Sequence, residues 1–146
     1  MGPPSAGTIA GNRNRAKVST GICETASPGI GFGLAVSQGA LSDEGVILGG
    51  SVSGLRGCSV KDVTVAAGQD DKFLPPNGLS VLETGDIWVE PGHAVAANDP
   101  VYFNATTGVW SNQASGNVGP VKGAKFKTSC GTGGSAILEL GDYAQD

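Results

Sequence analysis

Histidine occurs once in this chain, as His93, and cysteine three times, as Cys23, Cys58 and Cys130, with no C-x-x-C pair among them. A zinc site would have to gather all four from separate loops, so no metal centre is expected. An odd number of unclustered cysteines suits free thiols in a reducing setting, where such residues behave as small buried hydrophobes. No serine stands in G-x-S-x-G, and a hydrolytic triad would have only His93 to draw on. No catalytic residue and no cofactor are expected.

Apolar length is scarce as well. No segment approaches the ~18 apolar residues of a membrane span, and the N-terminal residues lack the apolar run of a signal peptide, so neither a membrane partner nor secretion by that route is expected. MGPPSA has Ala6 where a myristoylation pattern needs Ser or Thr. Ile, Leu, Val and Phe supply 33 of the 146 residues, only slightly above the ~20% below which chains tend to stay disordered, so the core is modest. Positive charge is confined: residues 1–17 carry Arg13, Arg15 and Lys17 and no acid, and the remainder holds 6 bases against 13 acids. An acidic body repels phosphate backbones, so no direct nucleic-acid partner is expected.

What the chain has is glycine, 25 residues, well above the average of about 7%, and its eight prolines are spread along its length. Long helices are excluded; LAVSQGALSDEG, interrupted by Gly39, allows at most a turn or two. Residues 1–20 mix Pro, Gly, Asn and Arg with isolated apolar residues and read as an extended basic arm, leaving 21–146 as a single domain. Within that domain short apolar runs alternate with turn signals: GFGLAVSQG, EGVILGG, KDVTVAAG, GLSVLETGD, DIWVEPG, DPVYFNATTGVW, GAKFKTS and GSAILELGD. Turns every ~8–12 residues are the pattern of an all-β sandwich or barrel. In GAKFKTS, Ala124, Phe126 and Thr128 share one strand face and Lys125 and Lys127 the other. YFNATTGVW reads as a hairpin with Gly108 in the left-handed region. GGSVSGLRG and SCGTGGS read as loops.

Two glycine-rich stretches imitate phosphate loops without the geometry. GIGFG has Leu34 where the third glycine of G-x-G-x-x-G belongs, and GTGGSA runs into the strand-like AILEL rather than a helix. In GDIWVEPGHAVAANDPVYF, strand alternation sends Ile87 and Val89 to the core and Asp86, Trp88 and Glu90 outward. Pro91-Gly92 breaks the strand, so Glu90 and His93 are not brought together as they would be on a helix. His93, beside a turn, reads as a solvated residue. Trp88 has two readings: an outward tryptophan covered by a loop, or an interface anchor of the kind enriched at binding hot spots.

In this order, GFGLAVSQG, GDIWV, NDPVYFNATTGVW and GAKFKTSCGTGGSAILEL resemble the structural cement proteins that decorate tailed-bacteriophage capsids, over about Gly31 to Leu140. The resemblance implies a compact antiparallel β-sandwich or jelly roll with an extended arm. It further implies a non-enzymatic protein, made in the host bacterial cytoplasm, that sits on the virion exterior and staples neighbouring major capsid protein subunits. A glycine usually precedes the Asp-Pro turn in this family; Asn98 stands there instead, and Asn tolerates the left-handed region. On this reading Arg13, Arg15 and Lys17 are the expected capsid-binding residues and Trp88 the expected oligomer or capsid interface residue. Exposed sheet edges and the dominance of two-fold closure favour a homodimer, with a homotrimer as the competitor. A reading from another class is a carbohydrate-binding jelly roll or small jelly-roll enzyme, with Trp88, Tyr102 and Trp110 as a stacking platform near His93.

Overall fold

A computed structural model describes residues 6–10, 17–25, 29–41, 43–61 and 78–141. The described residues are all-β: ten strands and no helix, hence none able to cross a membrane. The strands are β1 (Ile9–Ala10), β2 (Lys17–Cys23), β3 (Ala35–Gln38), β4 (Gly45–Leu48), β5 (Leu55–Ser59), β6 (Gly78–Val89), β7 (Tyr102–Phe103), β8 (Trp110–Ser111), β9 (Ala124–Phe126) and β10 (Ala136–Leu140).

Strands β2, β4, β3, β5 and β6 pair in that order, and β6 pairs back onto β2, so five strands close into a ring. Every pairing in the ring is antiparallel except β2 with β4, where Ile22 lies opposite Gly45 and Cys23 opposite Val46. The ring has a second sheet attached to it, ordered β1-β6-β10-β9, which shares the far half of β6. Turn spacing allows a sandwich or a barrel and the resemblance implies a sandwich or jelly roll; the observed pairing is a barrel-like closed ring with an extension.

Strand β6 makes the connection. GLSVLETGD and DIWVEPG, two runs in the sequence, form one strand of twelve residues. Its first half pairs with β2 (Thr20 opposite Ser80, Ser19 opposite Val81) and with β5, and its second half pairs with β1 and β10. The change of partners falls at Gly85, whose φ of 127° is open to glycine but costly for other residues. What looks like a turn signal in ETGD is therefore a distortion inside a continuous strand.

Of the stretch expected as an arm, residues 9–10 and 17–20 are strands paired with β6. Residues 11–16, with Arg13 and Arg15, lie outside the described residues, as does nearly all of the expected strand KDVTVAAG. The loop expected at GGSVSGLRG contains the start of β5, whose Gly57 (φ 148°) approaches the backbone of Leu82 too closely for any side chain.

Two apolar clusters fill the molecule, with the β3, β5 and β6 wall between them. Cys23, Val36, Val46, Leu79 and Val81 pack together, with Phe32 and Leu34 partly buried against them. Ala35, Cys58, Leu82, Ile87, Val89, Phe103, Trp110, Phe126 and Leu138 form the other cluster. Neighbouring residues such as Ala35 and Val36, or Val81 and Leu82, thus face opposite clusters, as strand alternation requires. Each large side chain so buried contributes roughly 1.5–3 kcal/mol.

The hairpin β7–β8 caps the larger cluster: Phe103 is opposite Trp110, and their rings meet edge to face at 5.6 Å. Gly108, at φ 72°, completes its turn, and Asn104 Oδ1 accepts from the amides of Thr106 and Thr107. Below it, the Asp99 carboxylate accepts from Ala96 N and Asn112 Nδ2, both at 2.8 Å, bonds that hold its carboxyl below the usual carboxylate range.

Candidate functional site

Trp88 lies where alternation predicts. Ile87 and Val89 are wholly buried, and the Trp88 side chain emerges on the opposite face, half-buried. Its backbone bonds to the Gly7–Thr8 segment, Trp88 N donating to Thr8 O at 2.9 Å and Gly7 N to Trp88 O at 2.8 Å, while Ile137 of β10 lies opposite on the other side. A tryptophan on a strand held from both edges is a rigid anchor, because its backbone has no further freedom to lose on binding.

Charge frames this ring. Lys127 Nζ lies 2.8 Å from Asp86 Oδ2, and Lys125 Nζ lies 3.7 Å from Glu139 Oε1. Asp86 is opposite Glu139, and Glu139 opposite Lys125, so the outward face of β6, β10 and β9 carries two neighbouring acids, each paired with a lysine, beside Trp88 and Ile137. The lysine side chains are 41–50% exposed, so these pairs contribute little to stability and more to the selectivity of the face.

Lys17 begins β2 opposite Thr84, with its side chain 71% exposed and its Nζ 3.7 Å from Glu83 Oε1. Five residues along β6 separate Glu83 from Trp88, about 16 Å at strand rise. The structure thus places Lys17 and Trp88 at different points of the surface. Arg13 and Arg15 lie outside the described residues.

His93 is exposed, with Nδ1 3.3 Å from Ser111 Oγ. Among the described residues no three His, Cys, Asp or Glu side chains come together in a metal-binding group. Trp110 is wholly buried, so it cannot join Trp88 and Tyr102 in the stacking platform of the carbohydrate reading. Its indole N–H finds no oxygen or nitrogen partner; it makes only a weak contact with the Cys58 sulfur. Burial pushes the Cys58 thiol up to about 12 and also raises Cys23, which leaves both poor nucleophiles.

Two surface features were not read from the sequence. A groove of ≈ 280 Å³ is lined by Ala6, Phe32, Gly33, Leu34, Glu90 and Val109. Its lining comes from separate stretches that converge only because Gly7 and Gly33 pass in near contact, which no local pattern announces. The second feature is the loop between β3 and β4, where Leu41 is 84% exposed, the most exposed of the large hydrophobic residues described.

The family model described as structural cement protein (E217 gp24/Pam3 gp6) matches residues 1–141. Among solved structures, a chain from "The capsid of Myoviridae Phage XM1" has the same fold, with a TM-score of 0.76 over 98% of this chain and 93% of that one, at 16% sequence identity. No curated protein matches by sequence.

Proposed function

Because this chain belongs to the phage structural cement protein family, we propose that it binds the outer surface of a phage head and staples neighbouring major capsid protein subunits, with no chemical reaction of its own. Its working place is then the virion exterior, after synthesis in the host bacterial cytoplasm.

The observation that supports this reading is the outward face around Trp88: a rigid aromatic set beside two acid–lysine pairs on a sheet with both β6 edges occupied. Such a face offers a hot-spot anchor with a charged rim, the anatomy of a protein-binding surface. Cementing follows by linkage. A protein that binds the assembled lattice, and not separate subunits, stabilises the lattice by RT ln(1 + [L]/Kd) at each site.

The proposed assembly is a homodimer, with a homotrimer as the alternative. Ring closure removes the edges of five strands, while in the attached sheet the short β1 and β9 remain edge strands, which a two-fold partner can cover. Arg13, Arg15 and Lys17 are proposed as a salt-sensitive contact to acidic capsid surface.

Co-sedimentation with empty phage heads tests the reading. Wild-type protein should pellet with heads, and Trp88→Ala should weaken binding by about 2 kcal/mol, roughly thirtyfold, while remaining folded. Equal occupancy by wild type and Trp88→Ala would remove Trp88 from the interface, and no pelleting at all would reject the cement reading.

A further inference from the structure

The β3–β4 loop is built around its exposed leucine. Glu24, just beyond β2, sends its carboxylate into the loop, where Oε1 accepts from Ala40 N at 3.0 Å and both oxygens accept from Leu41 N at 3.2 Å. Gly39 and Gly45 make room for it: a Cβ at either would collide with the Glu24 carboxylate. From the other side, Gln38 Nε2 donates to Asp43 O at 3.1 Å and Gly45 O at 3.3 Å, while its Oε1 accepts from Arg56 at 3.0 Å. Gly39 N donates to Gly45 O at 2.8 Å and closes the base of the loop.

A lone exposed leucine is ordinary on a protein surface. This one differs in that Glu24 and Gln38 hold the backbone of Ala40, Leu41 and Asp43 around it, so part of the entropic cost of presenting it is met before any partner arrives. Asp43 and Glu44, both exposed, follow it in the chain. The presented shape is an apolar tip with an acidic flank.

We propose that this loop is a docking knob, with Leu41 seated in an apolar pocket, rimmed by Lys or Arg, on a different protein of the capsid lattice. Charge weighs against a second copy of this chain as the occupant. The apolar groove found among the described residues has Glu90 in the lining, which would face Asp43 and Glu44 with like charge. The proposal rests on the cement reading and adds a second contact point to it, away from Trp88.

Binding of the full chain to empty heads is measured for wild type, Leu41→Ser, Leu41→Met and the double variant Asp43→Lys/Glu44→Lys, with thermal unfolding of each as a check. Leu41→Ser should bind about tenfold or more weakly, the scale of burying one leucine side chain, with unfolding unchanged. Leu41→Met, similar in volume, should restore binding to within a few-fold of wild type. Charge reversal should weaken binding at low salt, with the difference shrinking at high salt. If wild type binds heads and Leu41→Ser binds equally well, the knob is overturned and the cement reading stands. If wild type does not bind heads, both fall together. Loss of self-association in Leu41→Ser with head binding intact would make the partner a second copy and overturn the proposal.

Discussion

Closure of the ring depends on β5 lying against β6, and Gly57 is where that contact is tightest. A Cβ at this position would sit 2.9 Å from the Leu82 carbonyl carbon, nearer still to its oxygen, and 3.0 Å from Val81 Cγ1. The obstacle is backbone, so no rotamer change relieves it. Gly57→Ala must therefore displace β5 from β6 where Cys58 and Ser59 pair with Leu82 and Val81. Overpacking of this kind costs about 1–3 kcal/mol, and an L-residue in a glycine conformation, here φ 148°, adds about 1–2 kcal/mol. The expected loss is ~2–5 kcal/mol, a large part of the ~5–15 kcal/mol available to a typical domain. At about 2–4 °C per kcal/mol, the midpoint in a thermal scan should fall by roughly 5–20 °C. Gly116 supplies the control: it also has positive φ, 76°, but a Cβ there would have nothing within 4 Å. Gly116→Ala should show only the conformational part, about 1 kcal/mol. Equal losses at the two glycines would refute the argument that close approach of β5 to β6 closes the ring.

Two further outcomes follow from the buried thiols and the left-handed turn. Cys58 is raised to about 12 by burial, above its ordinary value, so above pH ~9 the unfolded chain releases a thiol proton that the folded chain keeps. Its stabilising contribution is complete below that pH and is lost as pH rises toward 12, with a slope of up to ~1.4 kcal/mol per pH unit; urea unfolding at pH 8, 9 and 10 should show the decline, and a Cys58→Ala variant with an identical slope would refute it. Asn98 holds φ 74° ahead of the Asp-Pro turn. Asn98→Ala should lose about 1 kcal/mol in denaturant unfolding and Asn98→Gly little or nothing; an Ala variant as stable as wild type would show that the turn relaxes without strain.

The strands legible in the sequence are those whose short apolar runs are bounded by turn signals. AVSQ, GVIL, AKF and AILEL became β3, β4, β9 and β10, and the hairpin around Gly108 formed as its turn residues require. Others were hidden for physical reasons. β2 is half exposed and carries Thr20 and Ser19 where a core strand would have aliphatics. In β5, Arg56 and Gly57 interrupt the apolar pattern because one residue is at the surface and the next needs a contact only glycine permits. Ring closure itself is a pairing of β2 with β6, some sixty residues apart in the chain, and local periodicity carries no information about such partners. At the site, alternation was enough to turn Trp88 outward. Leu41 carries no local signal because its presentation depends on Glu24, seventeen residues earlier, reaching into the loop.

Strand β6 runs without a break from the ring into the sheet that carries Trp88. A load applied at that face is therefore not borne only by side-chain packing between two halves of the molecule, which shears easily. It passes along covalent backbone into a closed loop of strands, where it is shared between the ladders to β2 and to β5. The molecule resists a pull on its outer face as a cable anchored in a hoop does, yielding only when the hoop itself is unzipped.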